Sequence, residues 1–110
     1  MTYRKYHNIK CSYNGIKFDS KKECNRFIEL DMLQNAGVIK DLKLQVKFEI
    51  CPKRYGNKRA RYYIADFTYK EGEKLVIEDV KSPITRTNPV YSLKKALILV
   101  NYPQYEFREY

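Results

Sequence analysis

The sequence predicts a mixed α/β (α+β) fold in the order α-β-β-β-α-β, and three observations carry that prediction. Two stretches open with helix-capping chemistry, Ser20-Lys21-Lys22-Glu23 and Asn88-Pro89. Residues 42–50 alternate apolar and polar side chains, as a strand with one wet face does. Two further apolar runs, 61–69 and 74–81, flank the turn signal Lys70-Glu71-Gly72-Glu73 and read as a hairpin.

Taken in order, residues 1–19 are basic and irregular, with Asn14-Gly15 as a turn signal and a short strand expected at residues 15–18. In the capping box, Ser20 is the N-cap and Glu23 the N3 residue. Cys24, Phe27, Ile28 and 30–33 then form an apolar stripe at helical spacing, ending at Asn35-Ala36-Gly37. The first helix is therefore placed at 20–36. Leu42, Leu44, Val46, Phe48 and Ile50 face inward from the first strand, and Pro52 ends it. A basic loop, "KRYGNKRA", leads to the hairpin strands. The segment "SPITRTNP" reads as a mobile polar loop beside the end of the third strand. Asn88 and Pro89 start a second helix over 89–101, Pro103 stops it, and "QYEFREY" makes a last short strand.

At 110 residues the chain has the length of one domain, and 44% hydrophobic content sets it apart from a disordered tail. No apolar run approaches the ~20 residues that span a bilayer, and the start resembles no signal peptide. The expectation is a soluble, intracellular protein with no membrane partner and no organic cofactor. Cys11, Cys24 and Cys51 form no closely spaced pair, and His7 alone cannot complete a zinc site, so thiols are expected. Lys and Arg outnumber Asp and Glu by 22 to 13, a net charge of +9 that favours a polyanionic partner. Eleven tyrosines, many beside basic residues, suit phosphate contact combined with base stacking.

The segment Lys74-Leu75-Val76-Ile77-Glu78-Asp79-Val80-Lys81 begins as a buried strand, yet it ends in two carboxylates and an ammonium. Burying unpaired charge is costly, so these groups need a purpose. With a two- or four-residue turn over 70–73, residue 69 lies opposite 74, Ile77 opposite Asp66, and Asp79 opposite Ile64. Asp66, Asp79 and Lys81 then share one face and Glu78 takes the other. A three-residue loop would reverse the parity and bring Glu78 beside Asp66. Two aspartates ~7–8 Å apart at their backbones repel unless a divalent cation lies between them. A hard cation such as Mg²⁺, with Mn²⁺ as substitute, takes carboxylates, waters and a carbonyl such as that of Val80. Lys81 is placed to act on an attacking water or on a phosphate. The competing reading is an ordinary Asp79–Lys81 pair at a strand end, with Asp66 solvated.

Asp66 followed by Asp79-Val80-Lys81 resembles the catalytic signature of the PD-(D/E)xK nuclease superfamily, whose core has the same element order. "KYHNIK", "NGIKFDSKKECNRFIELDMLQNAG", "LQVKFEI", "YIADFTY" and "VIEDVKS" together are similar to small phage-encoded proteins of that superfamily. The resemblance spans nearly the whole chain and is weakest over 52–60. It implies a restriction-endonuclease-like core, a mixed sheet flanked by helices. It also implies Asp66 and Asp79 as metal ligands, Lys81 as catalytic lysine, and Glu23 as a further metal ligand from the first helix. Glu23 is also the N3 residue of the capping box, and the two roles are hard to combine in one side chain. Ala65 stands where the motif has proline, and Asp79 where glutamate is commoner, so Glu78 is a candidate accessory carboxylate. Gln45 sits where some relatives carry a polar residue near the site; otherwise it is simply solvated. Arg54, Lys58 and Arg59 in the basic loop, Arg86 before the second helix, and Lys94 and Lys95 on it are candidate DNA contacts, or are merely solvent-facing. The activity expected is Mg²⁺-dependent endodeoxyribonuclease, structure-selective on branched phage DNA in the manner of a Holliday junction resolvase, acting as a homodimer in the host cytoplasm. The alternatives are a non-catalytic nucleic-acid-binding protein on the same scaffold and a protein-interaction module.

Overall fold

In the computed structural model, which describes residues 11–53 and 59–110, Asn14 and Gly15 both take positive φ (52° and 79°). That is the backbone of a type I′ turn, and it joins β1 (Cys11–Tyr13) to β2 (Ile16–Phe18) as a small antiparallel hairpin. Helix α1 (Lys21–Asn35) follows, and the Ser20 hydroxyl accepts from the Glu23 amide at 3.1 Å. Ser20→Ala is expected to cost about 1 kcal/mol, read as a lowered denaturant midpoint with unchanged slope.

Strands β3 (Lys40–Cys51), β4 (Arg61–Glu71) and β5 (Lys74–Asp79) run antiparallel in succession. The chain then crosses over through a helical turn, α2 (Pro83–Arg86), and helix α3 (Pro89–Asn101) to β6 (Tyr105–Glu109), parallel to β5. The result is a mixed α+β fold with a four-stranded mixed sheet in the order β3-β4-β5-β6. The expected core order is present, the short strand expected at 15–18 is β2, and there are two additions, its partner β1 and α2. The segment "SPITRTNP", expected as an irregular loop, is instead organised by its own side chains. Ser82 caps α2 by accepting from the Thr85 amide, and Asn88 caps α3 through the Val90 and Tyr91 amides.

The β4–β5 register differs from the expected one by two residues. Glu71 pairs with Lys74 and Phe67 with Glu78, because the turn consists of Gly72 and Glu73 only. Gly72 (φ 61°) occupies the first central position, where a type II′ turn takes glycine. Lys70 and Glu71 thus stay in the ladder instead of forming the turn. A shift of two keeps the parity, so Glu78 does take the face opposite to Asp79. It also moves Asp66 away from Ile77, to lie across from Asp79 itself.

Two cores flank the sheet. Phe18, Cys24, Phe27 and Leu30 from the hairpin and α1 pack with Phe67, Tyr69 and Val76 on one side. Tyr91 and Ile98 of α3 pack with Phe48, Ile50, Tyr63, Ala65 and Ile77 on the other. Tyr63, Ala65, Phe67 and Tyr69 are two residues apart in sequence, yet β4 delivers the first two to one core and the last two to the other. The switch falls at Asp66. Leu44 pairs with Phe67 and Val46 with Ala65, which leaves Gln45 opposite Asp66, and Gln45 has φ 54°. A non-glycine residue in the left-handed region within a strand is strained backbone of the kind found near functional sites. Among the described residues, no helix is long and apolar enough to cross a membrane.

Candidate functional site

The strained crossover of β3 and β4 lies where β5 ends, and three carboxyl groups meet there. Asp79 Oδ1 accepts from the Asp66 backbone amide at 2.8 Å, and Asp66 Oδ2 accepts from the Val80 amide at 2.9 Å. The pair thus staples the open end of the hairpin reciprocally. Gln45 Nε2 approaches Asp66 Oδ1 at 3.4 Å. Asp79 is fully buried, and its second oxygen, Oδ2, has no hydrogen-bond partner among the described residues. Its carboxyl pKa is raised by that burial, against the pull of the Asp66 amide and the Lys81 charge.

Glu23 reaches the same place from the first turn of α1. Its pKa is pushed up to about 7, first by burial and then by a hydrogen bond to Asp66 and by the Asp66 charge. The two roles that seemed hard to combine are divided within the residue. The Glu23 backbone amide serves the Ser20 cap, and the side chain turns to Asp66.

Lys81 leaves the end of β5 with its ammonium 5.4 Å from the centre of the Tyr91 ring. The Tyr91 hydroxyl donates to Glu109 Oε2 at 2.6 Å, and Lys95 binds Glu109 Oε1 at 3.0 Å. Burial, followed by that bond, drives the Tyr91 phenol well above its ordinary range, whereas Glu109 is held below the usual carboxylate range, first by Tyr91. In the parallel β5–β6 register Glu109 sits beside Asp79, and its charge adds to the upward push on Asp79.

The structure therefore brings together Glu23, Asp66, Asp79, Gln45 and Lys81. Of Val80, it is the amide that reaches the cluster, through Asp66. Glu78 is not brought to it. Glu78 is buried on the α1 side, where Arg26 holds it in a two-point pair and Tyr69 donates to it. Lys95 is committed to Glu109, Lys94 lines a cleft with Lys81, and Arg86 and Arg59 are exposed. Arg54 and Lys58 lie outside the described residues. Tyr91 and Glu109, which support Lys81 and adjoin Asp79, were not singled out in the sequence. Their only signal would have been the parallel pairing of the last strand, which residue types do not encode.

The chemistry of this cluster is that of an all-oxygen donor set suited to a hard divalent cation. A buried carboxylate oxygen lacks a partner among the described residues, and two further carboxyl groups crowd each other closely enough to hold a proton between them. The fit is one of donor chemistry and not of a finished cage. Among the described residues, no three His, Cys, Asp or Glu side chains already stand in a metal-binding array, and Asp66 Oδ2 and Asp79 Oδ1 each accept from a backbone amide.

A pH dependence follows for the protein in EDTA. Glu23 binds its proton more tightly when folded (about 7) than at its ordinary value of 4.5. The stability this contributes is full below about pH 4.5 and is lost as pH rises through about 7. Glu23→Gln should flatten that decline, seen as the difference between the two proteins' denaturant midpoints over this range. Parallel curves would mean that Glu23 does not share a site with Asp66.

No curated protein matches the chain, and no solved structure does. One family model, described as "Protein of unknown function (DUF1064)", matches residues 3–108. That match takes in every described element of the fold except the last residue of β6, and all the residues of the carboxyl cluster, and on it the chain belongs to the DUF1064 family.

Proposed function

We propose that the protein is a Mg²⁺-dependent endodeoxyribonuclease, as its resemblance to the PD-(D/E)xK superfamily implies. The observation that carries this reading is the buried Oδ2 of Asp79, without a partner among the described residues, next to Asp66, which in turn meets Glu23, and two residues from Lys81. A protein gains no stability from a desolvated carboxylate oxygen with nothing to bind it. Glu23, Asp66 and Asp79 would hold the cation. Bound there, Mg²⁺ would supply Lewis-acid activation of the phosphodiester and of the attacking water. The new bond forms from the water oxygen to phosphorus, and the bond from phosphorus to the 3′ oxygen breaks.

The chain's own residues then have distinct tasks. The Asp66 amide fixes the Asp79 carboxylate, and the strained Gln45 steadies Asp66. Lys81, seated over the Tyr91 ring, brings positive charge to where the phosphate becomes more negative. Lys94, Arg86 and Arg59 meet neighbouring phosphates, in keeping with the net charge of +9. The substrate is branched DNA, in the cytoplasm of a bacterial host. Symmetric cutting of two strands calls for a homodimer, for which the apolar residues α3 leaves exposed (Val90, Leu93, Leu99 and Val100) offer a surface; light scattering in solution reads that outcome.

One observation favours a second reading. The reciprocal bonds of Asp66 and Asp79 to each other's strand make both residues useful as staples in a non-catalytic DNA-binding protein. Labelled duplex, single-stranded, flap and four-way-junction DNA, incubated with Mg²⁺, Mn²⁺ or EDTA, separate the two. Cutting that needs the metal and ranks the junction and flap first is expected. Salt-sensitive binding without cutting on any substrate would hand the lead to the binding protein.

A further inference from the structure

Lys81 also forms part of the wall of a second feature, a cleft of about 590 Å³ between the start of β4 and the α2–α3 corner. That volume is within the ~300–1,000 Å³ typical of small-ligand sites. Its walls include Tyr62, Tyr63, Ile64, Tyr91 and Lys94, and among the described residues no acidic one lines it. Tyr62 and Ile64 are each 48% exposed despite their size. One side of the Tyr62 ring already has the Lys47 ammonium 6.0 Å from its centre. Tyr63 is buried, and its hydroxyl has no hydrogen-bond partner among the described residues. The cleft therefore combines an exposed aromatic ring and two ammonium groups, beside the carboxyl cluster.

We infer that this cleft receives one unpaired nucleotide of a DNA strand, adjacent to the phosphate that Lys81 and the carboxyl cluster address. The base stacks on Tyr62, and Lys94 and Lys81 meet the flanking phosphates. The nucleotide must be unpaired, because a base within a duplex has both faces covered by its neighbours. With cations and, among the described residues, no carboxylate in its walls, the cleft matches a nucleotide in charge as well as in aromatic character. The position of the cut phosphate rests on the nuclease reading, but the capture of a base does not. This would give the protein its preference for branches, ends and flaps without a separate sequence-reading domain.

The test uses full-length protein and short DNA duplexes carrying 2-aminopurine in a single-stranded overhang next to the junction, in EDTA so that nothing is cut. Wild type is expected to quench the fluorescence of the unpaired 2-aminopurine and to bind the overhang more tightly than the fully paired duplex. Tyr62→Ala should abolish the quenching and weaken binding about ten-fold, the size of a lost base-stacking contact. Equal quenching and affinity in Tyr62→Ala and wild type, or equal affinity for overhang and paired duplex, would overturn the inference. Quenching by a wild type that cuts nothing in Mg²⁺ would sink the nuclease reading and leave the nucleotide site standing. Full-rate flap cutting by Tyr62→Ala would do the reverse.

Discussion

Asp79→Asn is expected to lower Mg²⁺-dependent cleavage by about a thousandfold while leaving stability in EDTA close to that of wild type. The first figure follows from the several kcal/mol by which a bound cation stabilises a phosphoryl transition state, at about 1.4 kcal/mol per decade of rate. The second follows from the position of the side chain. Asp79 is fully buried, and one oxygen already serves the Asp66 amide, a role an asparagine carbonyl can keep. The other oxygen has no partner among the described residues, and burial opposes its charge. An unpartnered amide in that position costs less than an unpartnered carboxylate. A residue kept for stability alone would show the opposite pattern, with stability lost on substitution and no cleavage to lose. Cleavage rates in Mg²⁺ and unfolding midpoints in EDTA, measured on the same two proteins, decide the matter. Full activity in the variant would remove Asp79 from the site. A large stability loss would make it a staple, as the binding-protein reading holds.

What the sequence made legible follows a physical rule, and the hairpin shows where that rule stops. Capping is chemistry between residues two to four apart, so Ser20 and Asn88 located both long helices. Alternation is equally local, and it located β3. Parity survives any register shift of two, so the separation of Glu78 from Asp79 onto opposite faces could be read. Their partners could not. Lys70 and Glu71 look like turn residues, and only the two-residue turn at Gly72 and Glu73 places Asp66 across from Asp79. The short strand β1 lies in a basic stretch without alternation, and α2, Pro83-Ile84-Thr85-Arg86, sits within a Ser-, Thr- and Pro-containing segment that reads as loop. Around the site, what stayed invisible are the features held by distant contacts. Arg26 reaches Glu78 across 52 residues, Glu109 adjoins Asp79 through a parallel pairing, and Gln45 owes its strain to a crossover that no local pattern announces.

Removing Arg26 should be the most destabilising single change among those considered, at about 3–5 kcal/mol for Arg26→Met. Glu78 is only 1% exposed, and Arg26 meets it through Nε–Oε2 at 2.6 Å and Nη2–Oε1 at 2.9 Å, while the Tyr69 hydroxyl donates to Oε1 at 2.7 Å. Arg26 is itself placed over the Tyr110 ring, 4.3 Å from its centre. The Glu78 charge draws the Arg26 pKa further upward, against the opposing effect of burial. Methionine would fill part of the space but leave Glu78 with one hydrogen bond and no counter-charge. Breaking such a pair costs more than never having had it, so Arg26→Met combined with Glu78→Leu should recover much of the loss. The two neighbouring carboxylates of β5 thus differ in how their charge is met. Glu78 is neutralised from within the protein, and on the nuclease reading Asp79 is left for a bound cation. If so, the double variant should regain stability yet cleave less than wild type, because the Arg26–Glu78 clamp holds the strand end from which Asp79 projects. Chemical denaturation of the four proteins, with cleavage measured on each folded variant, tests both halves. A single variant as stable as wild type would show that the pair is solvated in solution. A stable double variant with undiminished cleavage would show that Asp79 is positioned by its own bond to Asp66 alone.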